Sequence, residues 1–180
     1  MKRCSWVSEK SQLYIDYHDN EWGIPEHNDR KLFEKLSLEI FQAGLNWVTI
    51  LKKREGFRAA FDNFDVEKIM AYTPDKVQEL LENADIIKNK TKIKAIINNA
   101  KIFWIIQKEY GSFSNYIWSF TDNKVIKNTT GKAVSENALS EYIASDLKRR
   151  GMLSIGSITI YAYLQAIGVI DDHQPGCFKY

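Results

Sequence analysis

A chain of 180 residues can bury one hydrophobic core, either as a single domain or as two small lobes that share it, and leaves no room for a second large domain. The composition, 44% hydrophobic and 27% charged, is typical of a folded globular protein, and no apolar run approaches the roughly 20 residues that a membrane span requires. The net charge of +2 does not by itself indicate a nucleic-acid partner, because local basic patches matter more than the sum.

The first half of the chain shows helical periodicity. One amphipathic helix is expected from Arg30 to about Ala43, and its apolar face consists of Leu32, Phe33, Leu36, Ile40 and Ala43. A second helix is expected to start at Asp65. Thr73 and Pro74 look like an N-cap followed by proline at the first helical position, which predicts a third helix through about Asn83.

A long helix is expected in the middle of the chain, capped by Thr91 and ending before Gly111. Its buried stripe consists of Ile93, Ile96, Ile97, Ala100, Phe103 and Trp104. Residues 119–134 hold polar and turn-forming types, which indicate a short irregular or extended excursion. The predicted fold class is therefore mainly α.

The last predicted helices form a hairpin over about residues 135–168. One helix runs over about 135–149, and after a turn that contains Gly156 the other runs through Ala166 and ends near Gly168. A basic cluster precedes the turn, formed by Lys148, Arg149 and Arg150. This is a candidate helix-hairpin-helix, in which turn amides face a DNA phosphate, and an ordinary αα-hairpin in the core is the alternative that the pattern leaves open.

Glu39 is a carboxylate on an apolar helix face. It follows Leu32 by seven positions and Leu36 by three, so at 100° per residue it points toward the interior. A buried carboxylate must be paired, protonated, or facing a cavity that takes a polar ligand, because burial without a partner costs several kcal/mol. A salt bridge and a ligand site both remain open from this geometry.

An aromatic cluster near Glu39 favours the ligand site. The residues after Glu39 supply a flexible corner at Gly44, an aliphatic tip at Leu45 and a flat wall at Trp47. The first 47 residues also contain Trp6, Tyr14, Tyr17 and Trp22. Such crowding suits a pocket that stacks a planar, electron-poor ligand, and core filling is the alternative use of the same residues.

The two ends of the chain hold a possible metal site. Cys4 and His18 near the start and His173 and Cys177 near the end supply two thiolates and two imidazoles, the set of a tetrahedral structural zinc site. A disulfide between the two cysteines is not expected, because no apolar signal segment begins at Met1–Trp6 and the protein is predicted to be cytoplasmic. The spacing matches no ordinary zinc finger, so unrelated cysteines and histidines are the alternative.

These residues resemble the bacterial 3-methyladenine DNA glycosylase I family, the constitutive or Tag type, almost from end to end. The resemblance rests on RCSWV at 3–7, YIDYHDNEWGIPE at 14–26, LEIFQAGLNWVTILKKR at 38–54, WSF at 118–120 and DHQPGC at 172–177. It implies a helix-hairpin-helix superfamily fold in a single glycosylase domain over residues 1–180. The implied second small lobe consists of the terminal segments, held by one structural Zn²⁺ on Cys4, His18, His173 and Cys177.

The resemblance also implies the roles of the site residues. The family's base pocket maps onto Glu39, Trp47, Tyr17, Tyr14, Trp6 and Trp22. The corner at Gly44 and Leu45 is similar to the wedge that fills the gap left by a flipped base. The implied activity is hydrolytic excision of 3-methyladenine from alkylated double-stranded DNA, with Glu39 as the catalytic and base-reading group, by a monomer without a membrane partner.

Three departures from the family pattern fall near these sites. Ile40 stands where family members usually carry glycine and Asn46 where serine is usual, and both flank the expected pocket. The hairpin reads Ser154-Ile155-Gly156 where the wider superfamily often has Gly-x-Gly. Ile158 lies near the position where lyase-type relatives carry a nucleophilic lysine, so a monofunctional enzyme is expected.

One hypothesis from another class competes with the enzyme. A non-catalytic, zinc-stabilised helix-hairpin-helix module that binds distorted DNA would need the basic hairpin and the wedge. It would have no use for Glu39 on an apolar face. Asp171 or Asp172 could supply the carboxylate that many superfamily relatives use in the chemistry, whereas the Tag-type family is thought to do without one.

Overall fold

The computed structural model describes all 180 residues, and it is mainly helical, as expected. The nine α-helices are α1 (Gln12–Asn20), α2 (Asp29–Gln42), α3 (Trp47–Ala60), α4 (Val66–Met70), α5 (Pro74–Glu82), α6 (Lys90–Tyr110), α7 (Phe113–Ser119), α8 (Ala138–Arg149) and α9 (Ser157–Ala166). A 3₁₀ turn covers Asp62–Phe64, and two short strands are β1 (Ile126–Lys127) and β2 (Ile170–Asp171). No helix has both the length and the apolar character that crossing a bilayer demands.

Side-chain caps explain where several helices begin. The predicted helix over about 30–43 is α2, displaced by one residue at each end. Asp65 accepts a hydrogen bond from the amide of Lys68 and so starts α4, and Thr73 accepts one from Lys76 at the start of α5. These three predictions are confirmed.

Two predicted helix starts were wrong by a few residues. The N-cap of α6 is Asn89, whose side chain accepts a hydrogen bond from the Lys92 amide, so Thr91 lies inside the helix. Asn and Thr are both common N-cap residues, and Asn89, which comes first in the chain, takes the N-cap position. Helix α8 begins at Ala138 rather than near 135, because Asn137 and Ser140 form a reciprocal capping box.

Three helices, α1, α3 and α7, lie in segments for which the periodicity predicted none. The extended excursion expected within 119–134 is β1, which pairs in parallel with β2 in the register Ile126 to Ile170 and Lys127 to Asp171. This pairing brings the segment after α7 against the C-terminal segment that follows α9.

The buried apolar residues form two clusters. The larger contains 36 residues from α2 to β2 and surrounds α6 and α9. The smaller joins both ends of the chain and consists of Cys4, Val7, Tyr17, Trp22, Leu51 and Cys177. Trp47 packs against both clusters, so the start of α3 lies at their junction.

Segment 23–26 fastens the smaller cluster to the end of α9. Gly23 and Glu26 donate backbone hydrogen bonds of 3.1 and 3.0 Å to the carbonyls of Gln165 and Ile167. A Cβ on Gly168, which has φ +75°, would lie 2.4 Å from the carbonyl carbon of Ile24, so only glycine permits this approach.

Candidate functional site

Helix α2 directs Glu39 into the interior. Leu32 and Leu36 on the same face are fully buried, and Glu39 is only 6% exposed. No protein group donates a hydrogen bond to its carboxylate, and no cation lies within 4 Å of it. Burial raises the pKa of Glu39 to about 8, and the positive charge of Lys35, one turn earlier, opposes this only in part. The salt-bridge alternative is therefore not what the structure contains.

Glu39 opens into a cavity of about 440 Å³. All six residues predicted for the base pocket line it, namely Trp6, Tyr14, Tyr17, Trp22, Glu39 and Trp47. The remaining lining residues are Gln42, Leu45, Asn46, Ala162 and Gln165. A planar ligand of the size of a purine therefore has aromatic surface and one buried carboxylate available.

The aromatic wall is built from rings that hold one another. Trp6 packs edge-on against Trp22 and Tyr14, with ring centroids 5.1 and 5.8 Å away. The ring of Tyr17 lies 5.3 Å from that of Trp47. The Tyr17 hydroxyl has no hydrogen-bond partner in the protein, and burial, together with the nearby Glu39, raises its pKa well above the ordinary value. It remains a neutral donor that faces no protein acceptor.

The corner between α2 and α3 is open at its tip and held at its base. Gly44 has φ +84° and no heavy atom within 4 Å of where a Cβ would be, and Leu45 is 38% exposed. Asn46 caps α3 and also accepts a hydrogen bond of 2.9 Å from the Tyr14 hydroxyl. Lys92 donates from α6 to the carbonyls of Phe41 and Ala43, 2.8 Å each. The tip is therefore exposed, while hydrogen bonds hold the residues at its base.

Sequence reasoning missed some of these residues. Gln42 follows Glu39 by three positions, so helical spacing alone could have placed it on the same face. Gln165 and Lys92 come from distant helices and carry no local signal. Ile40, expected to flank the pocket, belongs instead to the larger core, whereas Asn46 does line the cavity.

Three of the four expected metal ligands lie together. Donor atoms of Cys4, His18 and Cys177 are all within 4.8 Å of one another, and all three residues are buried. His18 Nε2 lies 3.4 Å from Cys177 Sγ, and its Nδ1 lies 2.7 Å from Asp19. The pKa of His18 is lowered, and burial is the largest cause. The lower pKa favours the neutral imidazole, which is the form that binds metals.

The fourth expected ligand, His173, lies beside this group. Its ring centroid is 5.4 Å from that of His18, and its Nε2 is buried without any hydrogen-bond partner. Its Nδ1 lies 2.7 Å from Asp171. Both histidines thus turn Nδ1 to a carboxylate, the arrangement typical of zinc-bound histidines, and the Nε2 of His173 is left buried and unpaired beside His18. The donor set fits a structural zinc ion.

The basic cluster before the hairpin is mostly engaged within the protein. Arg150 pairs with Glu109 and Asp146 at 2.6 and 2.8 Å, and Arg149 also pairs with Asp146. Lys148 is exposed and has no carboxylate partner. Of the three predicted phosphate contacts, Lys148 is the one whose charge no carboxylate balances, and Gly156 is open at the N-terminus of α9.

Neither aspartate near the C-terminus is a free carboxylate. Asp171 accepts hydrogen bonds from the backbone of His173 as well as contacting its ring. Asp172 accepts from Asn128, Tyr161 and Gln165 at 2.7, 3.0 and 2.6 Å. Both carboxylates hold the chain together, and neither lines the cavity.

Comparison with known proteins agrees with this architecture. The Methyladenine glycosylase family profile matches residues 6–180. DNA-3-methyladenine glycosylase of Haemophilus influenzae is 44% identical over 178 residues, which cover 97% of this chain and 96% of the relative. DNA-3-methyladenine glycosylase 1 of Escherichia coli is 42% identical over 183 residues, which cover 100% of this chain and 97% of the relative. Fold and sequence define an N-glycosylase, a hydrolase of N-glycosyl bonds. The chain belongs to the methyladenine glycosylase family.

Solved structures give the same result. A crystal structure of 3-methyladenine DNA glycosylase I superimposes with a TM-score of 0.92 at 44% identity, covering 98% of each chain. A solved structure of 3-methyladenine DNA glycosylase I from Staphylococcus aureus, which describes how that protein recognises 3-methyladenine, superimposes with a TM-score of 0.93 at 32% identity. The match covers 99% of this chain and 96% of that one.

Proposed function

We propose that this protein removes 3-methyladenine from alkylated double-stranded DNA by hydrolysis, after the damaged nucleotide has flipped into the cavity at Glu39. One observation carries the proposal. Glu39 and Tyr17 are buried in an aromatic cavity, yet neither side chain has a hydrogen-bond partner in the protein. Buried polar groups are normally partnered, so these two are set for a ligand.

The chemistry of the lesion fits these groups. Methylation at N3 gives the nucleotide's base a positive charge, so its glycosidic bond is already weak and the leaving base needs little protonation. An incoming cation favours the ionised form of Glu39, which then accepts hydrogen bonds from donor edges of the base. Trp47 and Tyr17 hold the ring by stacking and by cation–π attraction. Water then attacks an oxocarbenium-like sugar, whose charge the DNA phosphates help to stabilise.

The reaction is hydrolytic, without a lyase step. None of the 11 residues that line the cavity is a lysine, and Ile158 occupies the exposed position near the hairpin. No amine is therefore available to form a Schiff base with the sugar. Asp171 and Asp172 are held by other residues, so no further carboxylate takes part.

The DNA contacts follow from the exposed corner and the hairpin. Leu45, presented by Gly44, fills the space that the flipped base leaves in the stack. The hairpin at Gly156, with Lys148, holds a backbone phosphate, since amides at a helix N-terminus bind anions. The enzyme acts on the duplex as a monomer.

One Zn²⁺ on Cys4, His18, His173 and Cys177 stabilises the fold. Four protein ligands leave no open position for water, so the ion fastens the chain ends rather than taking part in hydrolysis. The segments that it joins carry Trp6, Tyr17 and Trp22, so the ion supports one wall of the cavity.

A base-release assay tests the activity. Duplex DNA that carries N3-methylated adenine should lose free 3-methyladenine in the presence of the wild-type protein, with no strand cleavage. The non-catalytic DNA-binding module would bind the same duplex and release nothing. Binding without release would therefore reject the enzyme and leave the module.

A further inference from the structure

Asn99 of α6 grips the backbone of the hairpin between α8 and α9. This side chain is fully buried. Its Nδ2 donates a hydrogen bond of 2.9 Å to the Leu153 carbonyl, and its Oδ1 accepts one of 2.8 Å from the Leu153 amide. The amide group thus pairs with both sides of one residue, as a neighbouring β-strand would.

Two neighbours on α6 hold the preceding residues. Asn98 donates a hydrogen bond of 2.8 Å to the Gly151 carbonyl. A Cβ on Gly151 would lie 3.4 Å from the side chain of Ile102, so the turn is packed closely on α6. Residues 151–153 are therefore fixed by a helix that is not part of the hairpin.

Beyond Leu153 the backbone amides are free. The N–H groups from Ser154 to Thr159 have no acceptor in the protein, and the first intramolecular bond after them runs from Ile160 to the Gly156 carbonyl. Four of these six N–H groups, those of Gly156 to Thr159, are the ones that a helix leaves unpaired at its N-terminus, and no side chain caps them here. Those of Ser154 and Ile155 precede the N-cap of α9, so helix formation does not explain why they are free.

Peptide geometry connects Asn99 to these free amides. The carbonyl of Leu153 and the N–H of Ser154 belong to one planar peptide group and point in opposite directions. When Asn99 holds the carbonyl toward α6, the Ser154 N–H must point away from α6, to the outside of the protein. Ser154 itself has φ +55°, a conformation that serine does not favour alone and that needs an external restraint.

We propose that Asn99 is a positioning residue for DNA binding, which orients the free hairpin amides toward a backbone phosphate. The inference rests on the proposed function of the hairpin and extends it to a residue outside the hairpin. Asn99 does not touch the DNA or the base. Its effect reaches DNA through the peptide plane between Leu153 and Ser154.

Two substitutions test the role. Asn99→Leu removes both hydrogen bonds at similar volume, and Asn99→Asp keeps an acceptor for the Leu153 amide but sets a carboxylate against the Leu153 carbonyl. Ile106→Val is the matched control, since it weakens the core of the same helix seven residues after Asn99 and removes no hydrogen bond to the hairpin. Binding to a duplex with an abasic-site analogue is measured at several salt concentrations, beside binding of free 3-methyladenine.

We expect both Asn99 variants to bind the duplex roughly tenfold more weakly, as for one lost phosphate contact. For Asn99→Leu the salt dependence of log K should stay close to that of the wild type, because the backbone amides that lose the phosphate carry no net charge and release no counterion. Free 3-methyladenine should bind as it does to the wild type, and Ile106→Val should leave both affinities unchanged. Asn98→Ala, which removes the bond to the Gly151 carbonyl and the 3.2 Å bond to Asn99 Oδ1 from a half-buried side chain, should show a smaller loss in the same direction, and it decides the question if the Asn99 variants do not fold.

An unchanged duplex affinity in the variants that fold would overturn the inference, as would a parallel loss of duplex and free-base binding. The wild-type measurements separate this inference from the function on which it rests. A wild-type protein that releases no base and does not prefer the abasic duplex would refute the proposed function, whatever the variants do.

Discussion

Tyr17 and Trp47 lie with ring centroids 5.3 Å apart and ring planes inclined at 51°, one on α1 and the other at the start of α3. The contact joins the terminal cluster to the helical core and forms part of the wall of the cavity that Glu39 also lines. Because Tyr17 is buried among aromatic rings while its hydroxyl has no protein partner, its ring and its hydroxyl should have separable effects.

Tyr17→Phe is expected to separate them. The ring contact with Trp47 remains, and removal of a buried hydroxyl without a partner should leave the free energy of unfolding unchanged or raise it by about 1 kcal/mol. Affinity for free 3-methyladenine should fall, because a hydrogen bond from the hydroxyl is lost. Denaturant unfolding and calorimetric base binding on one preparation test this, and a clear loss of stability would show that the hydroxyl has a structural partner.

Leu45→Gly tests the wedge. Leu45 is exposed at the tip of a corner whose base is held by Lys92, so its removal should not disturb α2 or α3. Binding to a duplex with a flipped-out abasic analogue should weaken, by about 1–3 kcal/mol for an apolar side chain of this size. Binding of free 3-methyladenine should be spared. Equal loss of both affinities would indicate a collapsed cavity instead.

The sequence predicted the parts of this protein that depend on local signals. The apolar stripe at Leu32 and Leu36 predicted α2 and the inward direction of Glu39, and Thr73 with Pro74 predicted α5. Helix α3 was not predicted, because its buried residues are few and charged residues lie between them. Packing against α2, rather than a regular apolar period, stabilises this helix.

Long-range contacts could not be predicted in this way. Asn99 and Leu153 are 54 positions apart, and nothing near either residue indicates that they meet. The same is true of Gln165, which reaches the cavity from α9. The family resemblance predicted that the aromatic residues surround Glu39. The ion pairs of the basic cluster could not be predicted, because the carboxylates that pair with Arg149 and Arg150 come partly from α6.

Ser154→Gly should stabilise the protein. Ser154 has φ +55°, which costs a residue with a side chain about 1–2 kcal/mol, and glycine adopts this conformation freely. The greater freedom of glycine in the unfolded chain offsets roughly 0.5–1 kcal/mol, so a net gain of up to about 1 kcal/mol is expected, or about 2–4 °C in Tm. Ser154→Val is the opposite control and should lower Tm. A lower Tm for the glycine variant would mean that the serine side chain stabilises the turn.

Metal analysis should find about one zinc ion per chain in protein purified without chelator. Cys4→Ser removes one thiolate from a site that joins the two chain ends, so it should lower Tm and the zinc content together. Strong chelators should lower the Tm of the wild type toward that of the variant. Base release by the folded fraction should change much less than stability, and zinc-free protein with unaltered Tm would contradict the assignment.

Glu39→Gln is expected to raise stability and lower base affinity. Burial raises the pKa of Glu39 from 4.5 to about 8, so the folded protein holds a proton that the unfolded chain has lost across this range. The contribution of Glu39 to wild-type stability should therefore be most favourable below about pH 4.5. This contribution should be lost progressively as the pH rises to 8.

The amide does not titrate, so its advantage should grow with pH, to about 1–3 kcal/mol near pH 8, and vanish near pH 4.5. Free 3-methyladenine should bind the variant more weakly, because an amide cannot present two acceptor oxygens to a donor-rich edge. The fall in base release should be modest, since the lesion is intrinsically labile. Tm and base affinity measured from pH 5 to 8 on both proteins test the two effects together. A variant that melts several degrees lower with undiminished base affinity would make Glu39 a structural ion-pair partner and would remove the basis for placing the base in this cavity.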